Sequence, residues 1–126
     1  MPAQLEHVNY MVKDAKMTAR WLCEVFDWHI RWEGLAIHGG YTVHVGASDR
    51  YLAVFQPKAS QDNPKSNYET VAGLNHIAVT VDDLAATEAK VKAAGFETIN
   101  HQDYEPGRRF YFLDHDGIEY EIVQYD

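Results

Sequence analysis

Two ten-residue stretches of this chain are copies of one another. LEHVNYMVKD, residues 5–14, matches LNHIAVTVDD, residues 74–83, at a constant offset of 69. Leu5 meets Leu74, His7 meets His76, Val8 meets Ile77, Val12 meets Val81 and Asp14 meets Asp83. The β-branched Ile77, Val79, Thr80 and Val81 favour a strand, and the closing aspartates suit a helix N-cap. Helical patterns follow both copies. In AKMTARWLCEVF, Met17, Trp21, Leu22 and Val25 recur at helical spacing; in LAATEAKVKAAG, Leu84, Thr87, Val91 and Ala94 share a face and Gly95 is the stop. Three strand-like runs then come in each half: WHIRWEGLAI, YTVHVGA and YLAVFQ, and later FETINH, RRFYFLD and IEYEIVQYD. Turns at Ser48-Asp49-Arg50 and His115-Asp116-Gly117 close hairpins. The order βαβββ is therefore written twice. Module one spans 1–56, a polar linker with two prolines spans 57–73, and module two spans 74–126. Modules this short must pair to bury their sheets, so the chain is expected to be a single α+β domain.

Composition narrows the function. With 126 residues and 46% hydrophobic content the chain can bury a core without disulfides, and the lone Cys23, inside a helical stretch, has no partner for one. The 19 acidic against 11 basic residues give a net charge of −8, which repels nucleic acid and anionic membranes and permits cations. No apolar run reaches the roughly 18 residues of a bilayer span. MPAQLEHVNY lacks a basic segment followed by an apolar one, so no secretory signal is expected and the cytoplasm is the expected compartment.

Strand alternation gives each module a helix-facing apolar side and a second, mixed side. His7 and Asn9 oppose Val8, Tyr10 and Val12; His76 opposes Ile77, Val79 and Val81; Glu119 and Glu121 oppose Tyr120 and Ile122. A mixed face is either wetted or lines a pocket, and a lone histidine there is an ordinary residue. Two at equivalent points of a repeat, with a carboxylate on the last strand, also suit a divalent ion: Zn²⁺, Ni²⁺, Co²⁺, Mn²⁺ or Fe²⁺. Spacing alone leaves these readings open.

The stretches LEHVNYMV, LNHIAVTVDDLAATEAKVKAAGF and GRRFYFLDHDGIEYEIVQ resemble the vicinal-oxygen-chelate superfamily, which includes glyoxalase I, methylmalonyl-CoA epimerase, fosfomycin-resistance enzymes, extradiol dioxygenases and bleomycin-resistance proteins. The resemblance implies tandem βαβββ modules forming a curved mixed sheet around a cup. It places metal ligands in the first and last strand of each module, here His7, Gln56, His76 and Glu121. Glu121 is preferred to Glu119 because the ligand follows the Gly of D-x-D-G by four residues. The set resembles that of the epimerases, for which Glu33 is the one carboxylate in the strand that carries their base. Asn9 stands where fosfomycin enzymes carry Thr or Cys, which counts against that activity, and it remains a candidate substrate contact. In DYEPGRRFYF, Tyr104, Arg108 and Arg109 are further substrate candidates, since an arginine can grip a carboxylate or phosphate with two hydrogen bonds. His29, His38, His44, His101 and His115 match no family position and are assigned to the surface or the framework.

The expected function is isomerase or lyase chemistry on a small oxygenated substrate, the metal acting as Lewis acid toward an enediolate-type oxygen and Glu121 as ligand or base. Two alternatives stand: an Fe(II) extradiol-type dioxygenase, and a non-catalytic cup that binds a drug or metabolite. A homodimer is expected, since paired modules of this size leave sheet edges exposed.

Overall fold

A computed structural model describes residues 2–60 and 68–126. Residues 61–67 of the expected linker lie outside the described residues. The chain divides into two compact units, Met1–Asp62 and Asn63–Asp126, and each has the βαβββ order read from the repeat.

In the first unit, β1 (His7–Met11) leads through α1 (Ala15–Phe26) to β2 (His29–Leu35), β3 (Tyr41–Gly46) and β4 (Tyr51–Gln56). The strands pair in the order β1-β4-β3-β2, with β1 parallel to β4 and the rest antiparallel. Asp14 begins α1 by accepting a hydrogen bond from the Met17 amide, and a left-handed Asp27 (φ 58°) ends it. Ala15, Thr18, Ala19, Trp21, Leu22 and Val25 form the buried stripe of α1, over Val43, Val45, Leu52 and Val54. Met17, expected on that stripe, is only half-buried. β2 is shorter than the run WHIRWEGLAI suggests. Ile37–Gly39 forms a short 3-10 turn in which His38 takes a left-handed conformation (φ 58°).

The second unit repeats the plan with β5 (Ile77–Thr80), α2 (Leu84–Ala93), β6 (Thr98–Tyr104), β7 (Gly107–Leu113) and β8 (Glu119–Tyr125). Its sheet has the order β5-β8-β7-β6, again with the first strand parallel to the last. Asp83 caps α2 through the Ala86 amide, and Gly95 (φ 99°) takes the chain out of it. Leu84, Val91, Phe96, Phe110, Phe112, Tyr120 and Ile122 make the core. FETINH marks β6 too early. Phe96 is a core residue whose ring lies 5.4 Å from that of Phe112, and the strand continues through the polar HQDY past a bulge between Ile99 and Gln102. A polar strand has no sequence alternation to betray it; its pairing with β7 decides it.

The turn between β7 and β8 is organised by Asp114, whose side chain is buried. Its Oδ1 accepts from the Asp116 and Ile118 amides, and its Oδ2 from the Tyr120 hydroxyl. This is the physical content of the D-x-D-G ending: the first Asp ties the turn and Gly117 supplies φ 78°. Among the described residues, no helix is long and apolar enough to cross a membrane.

Candidate functional site

The pairing registers state which positions of the two modules correspond. Asn9 pairs with Ala53 on β4, and its repeat mate Ala78 pairs with Glu121 on β8. Ala53 is thus the counterpart of Glu121, and Gln56, three residues further on, is the counterpart of Gln124.

The register sets Gln56 apart from the other residues expected in the metal set. Alternation puts Gln56 on the helix side of its sheet, with Leu52 and Val54, whereas His7 lies on the other side. Its Oε1 accepts a hydrogen bond from the Ala15 amide at 2.9 Å, and Gln124 Oε1 accepts one from the Leu84 amide at 2.8 Å. Each module therefore uses its last-strand glutamine to satisfy the first free amide of its own helix, while the aspartate cap serves the third. Gln56→Ala is expected to cost about 1 kcal/mol of stability, measured by urea unfolding, and to leave metal affinity unchanged by calorimetry. A recess of about 410 Å³ lined by Lys13, Asp14, Lys16, Tyr41 and Gln56 opens at the same helix start.

On the open face of module two, the side chains of Glu121 and Arg109 are both nearly buried, each 11% exposed. Glu121 Oε2 accepts a hydrogen bond from Arg109 Nη1 at 2.7 Å, and Glu121 Oε1 lies 3.1 Å from His76 Nε2. The other ring nitrogen, His76 Nδ1, lies 2.6 Å from Asn75 Oδ1. Given to that oxygen, the Nδ1 proton leaves Nε2 of a neutral imidazole with a lone pair. A lone pair and a carboxylate oxygen at this separation repel unless a positive centre, a proton or a metal ion, is shared between them. The arginine lies over the Tyr104 ring, 4.7 Å from its centre, and its Nε is buried without a partner. Tyr111, across the pair of strands from Glu121, has its phenol pushed up first by burial and then by the Glu121 charge. Glu119 Oε2 accepts from the Tyr68 hydroxyl at 2.5 Å and stands 3.8 Å from His76 Nδ1. That bond pushes the Tyr68 phenol up to about 12.

Glu121 and Glu119 thus divide the work around His76. Glu121 faces Nε2, and Glu119 is turned toward Tyr68. Of the residues of DYEPGRRFYF, Arg109 and Tyr104 reach this face but hold each other and Glu121. Arg108 is exposed and alternates to the other side.

The open face of module one is aromatic. His7 Nδ1 lies 2.8 Å from Glu6 Oε1, and the neighbouring imidazole holds the Glu6 carboxyl below its ordinary range. The His7 ring stacks on Tyr51 at 4.9 Å, Tyr51 on His44 at 4.7 Å, and His44 meets Trp32 at 5.3 Å. The Arg31 guanidinium lies 4.4 Å over Tyr51. Burial, then the charges of His7 and Arg31, push His44 below the ordinary imidazole range and favour its neutral form. Asn9, exposed, lies on this face beside Ala53.

Sequence reasoning passed over Glu6, Asn75 and His44. The signal for the first two was present: both copies read polar acceptor, then histidine. His44 was discernible by alternation, since Val43 and Val45 point to the core. Among the described residues no group of three or more His, Cys, Asp or Glu side chains gathers into a metal cage.

Comparison with known proteins agrees with this plan. The profile of the Glyoxalase/Bleomycin resistance protein/Dioxygenase superfamily matches residues 4–122. The chain belongs to this superfamily. Similar solved structures include the glyoxylase/bleomycin resistance protein/dioxygenase domain from Frankia sp. EAN1pec, at 21% identity and TM-score 0.82 over all of both chains. The fosfomycin resistance protein FosX from Listeria monocytogenes, complexed with Mn(II) and sulfate, has 19% identity and TM-score 0.75 over 100% of this chain and 95% of that one. TnmS3, an antibiotic binding protein from Streptomyces sp. CB03234, has 17% identity and TM-score 0.75 over 99% and 98%. At these identities the likeness shows the superfamily fold and nothing finer. Comparison with curated protein sequences finds no match.

Proposed function

We propose that this superfamily member is a divalent-metal-dependent enzyme of isomerase or lyase type that acts on a small oxygenated substrate, with His7, His76 and Glu121 as metal ligands. The observation that carries the reading is the 3.1 Å approach of His76 Nε2 to Glu121 Oε1 while Nδ1 is engaged by Asn75. Two donors about 2.1 Å from one ion and about 90° apart stand roughly 3 Å from each other, so the pair has the spacing of neighbouring ligands. Asn75 and Glu6 occupy the Nδ1 side of their histidines, an arrangement that aims Nε2 and strengthens it as a donor. When bound, the metal supplies Lewis acidity toward a substrate oxygen and stabilises charge that develops during proton transfer.

The chain's own residues set the rest. Arg109 fixes one oxygen of Glu121 and leaves the other toward His76, which supports a ligand role over that of a base free to swing away. Arg109 is thereby committed, so an anionic substrate group has to displace it or meet Arg31 on module one instead. Asn9 remains a candidate contact on the same face as His7.

One observation favours a second reading, a binding protein without chemistry. The stacked His7, Tyr51, His44 and Trp32 offer a flat aromatic ligand a platform, and a proton alone suffices between His76 and Glu121. Metal analysis separates the two. Protein purified without chelators is expected to carry about one divalent ion per chain, and His76→Ala to lower its affinity at least about 100-fold, measured by calorimetry. Because protons compete for the same nitrogen, affinity should fall as the solution is acidified. Absence of bound metal, with aromatic ligands still binding, leaves only the second reading. An Fe²⁺ preference with oxygen consumption turns the assignment to the dioxygenase alternative.

A further inference from the structure

β2 breaks its alternation at one point. Ile30 pairs with Val45 and Trp32 with His44, so Arg31 is an extra residue opposite a single step of β3. Such a bulge lets successive side chains reach the same side of a sheet. Arg31 and Trp32 both meet rings of the open face of module one. The guanidinium carbon lies 4.4 Å from the centre of the Tyr51 ring, and the indole lies 5.3 Å from the His44 ring. Gly34 makes room for the indole, since a Cβ there would stand 2.9 Å from it. Trp32 is nevertheless 53% exposed.

This face is aromatic and carries a positive charge. A guanidinium laid over a ring engages it with its flat side and keeps its N–H edges for other partners. Among the described residues, no hydrogen bond or ion pair engages those of Arg31. Glu6 opposes an anion here, but its Oε1 is turned to His7 Nδ1 at 2.8 Å and to the Tyr51 hydroxyl at 3.5 Å. Glu33, further along β2, accepts from the Tyr41 hydroxyl at 2.6 Å and pairs with the core residue Val43, on the helix side.

We propose that the open face of module one binds an aromatic carboxylate, its ring against Tyr51, His44 and Trp32 and its acid on the free edge of Arg31. The inference rests on the platform reading above, and all of its residues belong to the first unit. Stacking alone accepts any flat ligand; the guanidinium adds a choice of charge. A cationic ring meets Arg31 as a like charge. An aliphatic acid keeps the ion pair without the stacking, and an exposed ion pair by itself contributes little. Ring and acid are therefore needed together.

The test uses the full chain in chelator, titrated by calorimetry. The probe is 2-naphthoate, compared with 2-naphthamide as its neutral analogue and cyclohexanecarboxylate as an acid without a π-face. Naphthoate is expected to bind at least about 10-fold more tightly than either. Arg31→Gln should bring naphthoate down to the level of naphthamide and leave naphthamide within about 2-fold of wild type. Trp32→Leu, which keeps an apolar side chain without a ring, should weaken both by about 3- to 10-fold. Both positions are exposed, and both variants are expected to keep the wild-type unfolding midpoint. Wild type that binds naphthoate no better than naphthamide overturns the proposal, as does an Arg31→Gln protein that keeps the preference. Naphthoate that binds only after a divalent ion is added also overturns it, because the ion then holds the acid, and the metal reading stands. Binding in chelator by a protein that takes up no metal supports the proposal and removes the metalloenzyme reading instead.

Discussion

Replacing Glu121 by alanine is expected to abolish stoichiometric divalent-metal binding and to lower the unfolding midpoint of the metal-free protein. Both effects come from one carboxylate with two engaged oxygens. Oε1 faces His76 Nε2, and its loss removes the one anionic ligand from the proposed set. Oε2 neutralises Arg109, whose side chain is 11% exposed and whose Nε already lacks a partner. Removing the acid strands that charge against Tyr104, and a stranded charge costs more than an intact pair contributes. Glu121→Gln separates the two effects. The amide oxygen can still accept from Arg109, so stability should fall less, while the loss of anionic charge should weaken metal at least about 100-fold. Adding Arg109→Met to Glu121→Ala should recover midpoint without recovering metal. Urea unfolding of chelator-treated protein and calorimetric titration read the two outcomes independently. A Glu121→Ala protein that binds metal as wild type does would remove this residue from the site.

Asp114→Ala is expected to cost about 2 to 3 kcal/mol of stability without changing metal affinity. Three hydrogen bonds end on this buried carboxylate, two from turn amides and one from the Tyr120 hydroxyl. Its loss leaves those donors to find water in a turn that Tyr120 and the flanking strands close off. The group also predicts a direction with pH. Burial raises the Asp114 carboxyl above its ordinary value, and this outweighs the hydrogen bonds that lower it. The folded state therefore holds the proton more tightly than the unfolded chain. The contribution of this group to stability is fully present below the ordinary aspartate range and is lost as pH rises through the raised folded value. Denaturation of wild type and Asp114→Asn across that range should show the stability difference between them changing in this sense. A pH-independent difference would exclude Asp114 as its source.

These experiments bear on residues of unequal legibility. His7, His76 and Glu121 stood out because the repeat is written in plain sequence and alternation puts all three on mixed faces. The helices were equally legible: AKMTARWLCEVF coincides with α1, since the apolar period and the Asp14 cap are local properties of the chain. β6 was misplaced at its start because nothing in TINHQDY alternates, and its strand character comes from β7 beside it.

Gln56 shows the limit most plainly. Position in the last strand made it resemble a ligand, but parity along YLAVFQ turns it to the helix side, where an unpaired amide waits for it. Parity was readable without a structure; the waiting amide was not. The engagement of Arg109 with Glu121, the proximity of His44 to His7 and the use of Glu6 and Asn75 to aim imidazoles likewise depend on pairing register and side-chain direction, which arise only when distant segments meet.

By itself, then, the sequence determined the doubled βαβββ order, the α+β class, both helix starts and the histidines of the repeat, because these follow from local propensity and periodicity. Tertiary structure alone decided that Ala53 rather than Gln56 answers Glu121, that Arg109 is held and that His44 lies beside His7. Register and packing are properties of strand pairs, and no single strand encodes them.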